Sequence, residues 1–373
     1  MPARIVIVLP GLSAGGSERA VSLIASNWAA RGCQVTIVTF EDDDTEPYHA
    51  LSADVDIVRL AIPSDRKHPI RATVNVVRRV LRLRRAFRRL APDLVISFLT
   101  RTNVISVLAA TGLSIPVVVS ERNNPELQHF GRIWSALRRF AYQRAFGLVT
   151  MTKGAMEHFP AEQRRRSWVI PNDATLPTNI HKRSGHKTVT AVGRLVPQKG
   201  FDLLIDSFAL LADAHPDWKL VIWGEGEQRR ELENQRERLN LTHRVELPGV
   251  TSRPGLWIET SGIFVLSSRF EGWGIVLLEA MSAGLPVVSF DCKYGPSDMI
   301  TDGFDGILVP RGQTKEMAAA ISRLIEDSDM RDRLAQNAVV SARRFSREHV
   351  MEGWDEVLES ALPAQLRHAP NGS

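Results

Sequence analysis

Cysteine is nearly absent from this chain, which has only Cys33 and Cys292 in 373 residues. Two cysteines so far apart give neither a metal-binding spacing nor a disulfide framework, so we expect a reducing compartment. No apolar run approaches the roughly 20 residues that a membrane-spanning helix needs. The chain passes from Met1 straight into an apolar run at residues 4–9, so we expect a first strand there and no secretory signal.

Two familiar phosphate-binding signatures are also missing. The glycine-rich turn at residues 10–19 has no Lys-Ser or Lys-Thr pair after its glycines, so it is not a Walker A loop. It is not G-x-G-x-x-G either, which disfavours a nicotinamide site. Gly15 and Gly16 lead into a helix whose N-cap we predict at Ser17. Free N–H groups at that helix start can receive a phosphate or a sugar.

Charge is divided unevenly along the chain. Residues 1–175 contain 24 Lys and Arg against 15 Asp and Glu, a net charge of +9, whereas the remainder of the chain has a net charge of −4. The N-terminal half is therefore expected to meet an anionic surface or partner.

Strand-like and helix-like segments alternate in two successive blocks. Continuous apolar strands separated by helices are typical of parallel sheets covered on both faces. Residues 173–187 lack periodicity and are predicted to be a linker. The sequence therefore predicts two Rossmann-like α/β domains facing each other across a cleft, at residues 1–178 and 187–345, followed by a last segment at 346–373.

A long helix predicted at residues 70–90 is unusually basic. One stripe is apolar and the opposite stripe is arginine, and no glutamate interrupts the basic side. A solvated helix face normally mixes both signs, because a run of arginines repels itself without an anion nearby. Anion binding is therefore favoured over a simple solvated face for the basic stripe of Arg71, Arg78, Arg82, Arg85 and Arg89, opposite Val76, Val80, Leu83, Phe87 and Leu90.

The most informative stretch is residues 268–288. A short strand precedes a loop with Gly272 and Gly274, where a ligand can approach the backbone closely. A helix predicted to begin near Ile275 directs its free N–H groups at that loop. Glu271 and Glu279 bracket the turn with seven residues between them. Two solvated glutamates flanking a core helix are the simpler alternative, which the surrounding glycines disfavour.

This stretch resembles the E-x7-E signature of the retaining glycosyltransferases of family 4. Three further motifs stand in the order of that family: residues 15–19, the Gly193–Arg194–Leu195 run with Lys199 and Gly200, and residues 224–226. The resemblance covers almost the whole chain. It implies a GT-B fold whose final helix crosses back onto the N-terminal domain, retention of the anomeric configuration, and catalysis without a bound metal or other cofactor.

The resemblance also implies roles for individual residues. Arg194 and Lys199 would clamp the donor diphosphate, Glu271 would meet the donor sugar, and Glu279 would bind the ribose. The catalytic candidates are thus Glu271, Arg194 and Lys199. The donor-binding candidates are Gly16, Arg122, Gly193, Gly224, Val250, Gly272, Trp273, Gly274, Ile275 and Glu279, and the acceptor-binding candidates are Gly15, Arg78, Arg82, Arg85 and Arg89.

The chain is most similar within the family to bacterial enzymes that extend lipid-linked oligosaccharides and exopolysaccharides. Residues 93–99, 120–125 and 290–296 carry this likeness. It implies a UDP-sugar donor, with a GDP-sugar as the alternative, and a polyprenyl-diphosphate glycan acceptor. It further implies a cytoplasmic protein at the inner face of the plasma membrane, with no nucleic-acid partner. One position departs from the family, because Arg122 stands where many members have histidine.

Two other functions remain open from the sequence. A nucleotide-sugar epimerase or phosphorylase could use the same architecture, and a catalytically silent nucleotide-binding partner would share it. The first is disfavoured by the combination of Arg194 and Lys199 with the two glutamates. The second is disfavoured because every charge expected at the donor site is present.

Overall fold

The computed structural model describes residues 2–13, 15–42, 46–62, 69–127, 131–173, 176, 185–251, 253 and 255–363, with residues 69–73 as backbone only. Most of the predicted linker, the centre of an acidic loop at 41–46 and the tail after 363 lie outside the described residues. The chain forms two compact units. Unit 1 comprises Met1–Asn172 and Glu348–Ser373, and unit 2 comprises Asp173–Arg347.

Unit 1 is built on a seven-stranded parallel sheet in the order β3-β2-β1-β4-β5-β6-β7. Its strands are β1 Arg4–Val8, β2 Gln34–Thr39, β3 Val55–Arg59, β4 Leu94–Phe98, β5 Val117–Ser120, β6 Gly147–Thr150 and β7 Ser167–Val169. Its first helices are α1 Gly16–Ala30, α2 Pro69–Leu90, α3 Thr100–Ala110, α4 Arg132–Arg144 and α5 Lys153–Glu157.

The predicted N-cap of α1 at Ser17 is wrong, because the helix begins earlier. Gly15 is the N-cap, with an extended backbone. Its carbonyl accepts the N–H of Arg19 at 3.0 Å, which closes the first turn two residues before the predicted position. Ser17 lies inside that first turn.

Unit 2 has a six-stranded parallel sheet in the order β10-β9-β8-β11-β12-β13. Its strands are β8 Thr188–Val192, β9 Lys219–Trp223, β10 Val245–Gly249, β11 Ile263–Leu266, β12 Val287–Asp291 and β13 Ile307–Pro310. Its helices are α6 Phe201–Ala212, α7 Arg229–Arg238, α8 Leu256–Glu259, α9 Ile275–Ser282, α10 Pro296–Met299, α11 Thr314–Glu326 and α12 Ser328–Ala342. Two Rossmann-like units were predicted, and this part of the prediction is confirmed.

The last helix, α13 Arg347–Ala361, packs on unit 1. Its Trp354 is fully buried and meets Trp28 of α1 edge-on, with ring centroids 6.5 Å apart. The indole N–H of Trp28 donates to Asp355 at 2.9 Å, and Arg31 pairs with the same carboxylate at 2.6 Å. A buried aromatic pair and a shared carboxylate therefore hold α13 against α1.

Alternating side chains divide the core of unit 1 into two layers. Ile5 and Ile7 of β1 face the α1–α13 side, where Trp28 and Trp354 lie. Val6 and Val8 face the other side, which is covered by α2, α3 and α4. Because successive strand residues point to opposite faces and both faces are covered, β1 is apolar from Ile5 to Val8. Among the helices that the structure describes, none has both the length and the apolar character needed to cross a bilayer.

Candidate functional site

The sheet of unit 2 reverses its direction of growth between β8 and β11. From β8 the chain adds β9 and β10 on one side, then moves to the other side for β11, β12 and β13. Loops at such a reversal leave the carboxyl edge of the sheet in opposite directions and open a crevice for ligands. The two loops here are residues 193–200 and 267–274, which contain most of the predicted donor-site residues.

Hydrogen bonds fasten these two loops to each other. The hydroxyl of Ser267 donates to the carbonyl of Lys199 at 2.9 Å, and the amide of Gln198 donates to the carbonyl of Phe270 at 3.1 Å. Arg269 pairs with Asp202 at 2.5 Å. The loops therefore form one preorganised edge of unit 2.

Glu271 and Lys199 form an ion pair at the centre of this edge. The Nζ of Lys199 lies 2.6 Å from Oε1 of Glu271, and the hydroxyl of Ser268 donates to the same oxygen at 2.6 Å. The Glu271 side chain is buried, so its charge needs these partners. Cys292 is fully buried nearby, and burial together with the charge of Glu271 raises the pKa of its thiol to about 12. Ser268 is three residues from Glu271 in the chain, whereas no sequence spacing marks Cys292 as a neighbour of the pair.

Arg194 differs from Lys199 in being exposed. Within the described part of the chain it makes no ion pair or side-chain hydrogen bond, so its guanidinium is available to a ligand anion. Gly193 lies against the stem of Lys199, where an added Cβ would be 3.2 Å from Cε. At Gly224 an added Cβ would come within 1.9 Å of the carbonyl oxygen of Gly193, so only glycine permits this backbone contact. Val250, the residue after β10, is exposed.

The second half of the E-x7-E stretch folds as the sequence predicts. Helix α9 begins at Ile275, after Gly274 in a left-handed conformation with φ of 89°. An added Cβ on Gly274 would be 3.8 Å from Cγ of Glu271, so the helix start adjoins the ion pair. Trp273 is buried and packs edge-on against Phe345 at 5.1 Å. Gly272 lies between Glu271 and Trp273, and Glu279 is partly exposed on α9.

Apart from the arginines of α2, three predicted site residues belong to unit 1 and lie at different depths. Gly15 and Gly16 form the start of α1, where the carboxylate of Glu18 folds back over Gly15. Arg122 is buried, with its guanidinium 5.2 Å from the ring of Phe98 and 5.4 Å from that of Trp354.

The contacts of Arg122 are internal to unit 1. Its Nη1 donates to the carbonyl of Ile170 at 3.0 Å and to Asn172 at 3.2 Å. Burial lowers the pKa of Arg122 to about 9. No local pattern predicts this burial, because the contacts of Arg122 come from Phe98, Ile170, Asn172 and Trp354, all distant in the chain.

Helix α2 borders a pocket of about 610 Å³ in unit 1. As predicted, Leu83 and Phe87 are buried and Arg89 faces outward. The side chain of Arg71 lies outside the described residues. The guanidinium of Arg82 also donates to the carbonyl of Leu60 at 2.6 Å, which anchors the helix beside the pocket. The pocket lining consists of Ala61, Ile62, Asn75, Arg78, Leu81, Arg82 and Arg85.

The predicted outer face of α2 was wrong in one respect. It is not purely basic, because Val74, Val77 and Leu81 are also exposed, at spacings of three and four residues. The helix pattern predicted a single apolar stripe, whereas α2 has a second one that faces solvent.

Two family descriptions match almost the full length of the chain. Residues 15–173 match the glycosyl transferase 4-like domain, and residues 174–340 match the glycosyl transferases group 1. The amylovoran biosynthesis glycosyltransferase AmsD of Erwinia amylovora is 25% identical over 369 residues, which cover 95% of this chain and 99% of AmsD.

A second relative has a more specific name. It is the GalNAc-alpha-(1->4)-GalNAc-alpha-(1->3)-diNAcBac-PP-undecaprenol alpha-1,4-N-acetyl-D-galactosaminyltransferase of Campylobacter jejuni. It is 25% identical over 358 residues, which cover 94% of this chain and 97% of the relative.

Among solved structures, HepE of Anabaena in complex with UDP has the same fold. Its TM-score is 0.75 at 21% identity, with 96% of this chain and 100% of HepE covered. The predicted GT-B fold class is thereby confirmed. The chain belongs to the group 1 glycosyltransferases, with a glycosyl transferase 4-like domain preceding the group 1 domain.

Proposed function

We propose that this glycosyltransferase moves a hexose or N-acetylhexosamine from a UDP-sugar to a polyprenyl-diphosphate-linked glycan, with retention of configuration. The observation that carries the donor half is the Lys199–Glu271 ion pair at the β8–β11 crevice, beside the exposed Arg194. A departing nucleoside diphosphate accumulates negative charge, and a lysine and an arginine at one sheet edge can neutralise it.

The ion pair gives Lys199 a partner before the donor arrives. We propose that Lys199 turns from Glu271 to the diphosphate when the nucleotide sugar binds, which leaves the Glu271 carboxylate to accept hydrogen bonds from the sugar hydroxyls. The hydrogen bond from Ser268 leaves Glu271 one partner when Lys199 turns away. The N–H groups at the start of α9 add further donors for the sugar and the β-phosphate.

The acceptor half of the proposal depends on α2. A diphosphate joined to a lipid and a glycan carries adjacent negative charges, which suit the arginine-lined pocket of Arg78, Arg82 and Arg85. The Campylobacter relative acts on an undecaprenol-linked glycan by its name, and AmsD is named for amylovoran biosynthesis. Both names support a glycan acceptor for this chain, and the name of the Campylobacter relative supports one that is linked to a polyprenol.

The experiment is a mass-spectrometric screen of nucleotide sugars with a polyprenyl diphosphate glycan. We expect one UDP-sugar to extend the glycan by a single residue. A parallel incubation without acceptor tests the epimerase alternative, since an epimerase would change the donor sugar with no acceptor present. Absence of product from every pair of donor and acceptor would contradict the proposal.

A further inference from the structure

The helix layer formed by α2, α3 and α4 carries charge of one sign only. It contains eight arginines in α2, one in α3 and four in α4, and these helices have no aspartate or glutamate. The opposite layer of the same sheet includes α13, which has five acidic residues. Unit 1 is therefore polarised, with a basic face and an acidic face on either side of one sheet.

Exposed apolar side chains lie on the basic face in two helices. In α2 these are Val74, Val77 and Leu81, which alternate with the arginines of the pocket. In α4, Ile133 is 76% exposed and Phe140 is 40% exposed, seven residues apart and so on one side of the helix. The guanidinium of Arg144 lies 3.6 Å from the centre of the Phe140 ring. Each helix thus presents apolar groups and cations together.

The combination of charges and apolar groups fits a lipid bilayer better than a second copy of this chain. A second copy placed face to face would bring arginine against arginine. Anionic headgroups attract each near-surface arginine by about 1 kcal/mol. Scattered valine, leucine, isoleucine and phenylalanine side chains can enter the headgroup and acyl boundary between those contacts.

We infer that the α2–α3–α4 layer is the face that rests on an anionic bilayer, and that Ile133 and Phe140 make α4 a second apolar anchor beside α2. The inference extends the membrane contact of the proposed function. Binding of the acceptor by the arginines of α2 does not require α4 to contact the membrane, so the role of α4 is an additional one. Vesicle binding needs no turnover, so its outcome can be separated from that of the glycosyl-transfer assay.

The test measures cosedimentation of the full chain with phosphatidylglycerol/phosphatidylethanolamine vesicles and with phosphatidylcholine vesicles. Ile133→Gln and Phe140→Gln retain good helix formers while removing the apolar groups. Each variant should bind the anionic vesicles roughly tenfold more weakly, since a buried isoleucine or phenylalanine contributes about that factor or more. Wild-type binding to phosphatidylcholine should be weak.

Matched controls are Leu210→Gln on α6 and Val340→Gln on α12, which change apolar residues of unit 2 whose exposure lies between those of Ile133 and Phe140. They should bind as the wild type does. Transfer to a short-chain, water-soluble acceptor diphosphate should be unchanged in all four variants. Equal vesicle binding by the α4 variants and the controls would overturn the inference. Sedimentation velocity without vesicles tests a second copy as the occupant. Self-association of the wild type that depends on concentration and is lost in the α4 variants would also overturn the inference.

Discussion

Arg194 and Lys199 of unit 2 have the same proposed role, but their surroundings differ. Lys199 is paired with a buried carboxylate at 2.6 Å, whereas Arg194 is exposed. Among the described residues, removing Lys199 leaves the buried Glu271 with Ser268 as its one side-chain hydrogen-bond donor, which costs stability as well as activity. Removing Arg194 should cost activity alone.

We therefore expect Arg194→Ala and Lys199→Ala each to lower kcat/KM. Each change removes a cation that neutralises the leaving group, and the loss of transition-state stabilisation should be about 2–4 kcal/mol. Thermal unfolding should show a lower Tm for Lys199→Ala only. Lys187→Ala is the control, since Lys187 forms an exposed ion pair with Asp217 in the same unit. Near-wild-type turnover in both variants would contradict the assignment of Arg194 and Lys199 to the diphosphate site.

Glu121 of unit 1 is a buried carboxyl with a different role. It accepts hydrogen bonds from Tyr142 and, at 2.8 Å, from Thr100, and it is almost fully buried. Burial raises the pKa of Glu121, and its hydrogen bonds offset this only in part. A folded-state pKa above the unfolded one means that the fold binds this proton more tightly, so stability is lost as the pH rises through the interval between the two values.

Glu121→Gln should remove that pH-dependent loss. The Tm of the variant relative to wild type should increase as the pH rises from the ordinary glutamate pKa toward neutrality, since glutamine keeps an acceptor oxygen without the charge. Glu162→Gln, at an exposed glutamate of the same unit, should show no such trend. A Tm difference that is constant or falls over the same pH range would contradict the raised pKa.

At the scale of elements, the sequence predicted helix boundaries that depend on neighbouring residues, but not contacts between distant parts of the chain. Gly274 and Gly284, both with positive φ, flank α9 by backbone chemistry that involves only neighbours, and its start at Ile275 was predicted correctly. The Lys199–Glu271 contact spans 72 positions and depends on the order of strands, which periodicity does not encode. The burial of Arg122 is likewise a tertiary property, because the final helix supplies one of its two aromatic neighbours.

Gly200 tests how closely the two crevice loops must fit. Its φ is 62°, and an added Cβ would lie 2.2 Å from the carbonyl oxygen of Ser267. At Gly303 φ is 72°, but an added Cβ would meet nothing within 4 Å. Gly303→Ala should therefore cost only the left-handed penalty of about 1–2 kcal/mol. Gly200→Ala should cost more and also lower kcat/KM, measured by denaturant unfolding and steady-state kinetics; equal effects of the two changes would contradict the close fit.

The arginines of α2 should serve the acceptor and not the donor. Replacing Arg82 and Arg85 with glutamine keeps the helix while removing charge from the pocket. We expect a raised KM for the acceptor, weaker vesicle binding at low salt and an unchanged Kd for the donor. The control is the same double change at Arg230 and Arg238 of unit 2, both exposed. An equal fall in donor affinity would contradict the assignment of these arginines to the acceptor.

At the scale of the molecule, the two units present different chemistry. Unit 2 has a preorganised crevice edge with a buried glutamate and two cations, which suits a nucleotide diphosphate. Unit 1 has a basic helix layer that suits a lipid-linked diphosphate. Neither unit alone carries both sets of residues. The division of residues between the units therefore supports transfer between a small-molecule donor and a membrane-bound acceptor.

The last prediction concerns the metal dependence and the stereochemistry of that transfer. If Arg194 and Lys199 supply the positive charge that the leaving diphosphate needs, a divalent ion is not required for that role. We expect activity to persist in excess chelator. Family resemblance further predicts that the product keeps the anomeric configuration of the donor. NMR of the anomeric proton in the product, on reactions run with and without chelator, measures both. Complete loss of activity in chelator would indicate that a metal ion neutralises the diphosphate. An inverted anomer would rule out the retaining mechanism but would not contradict the assigned donor site.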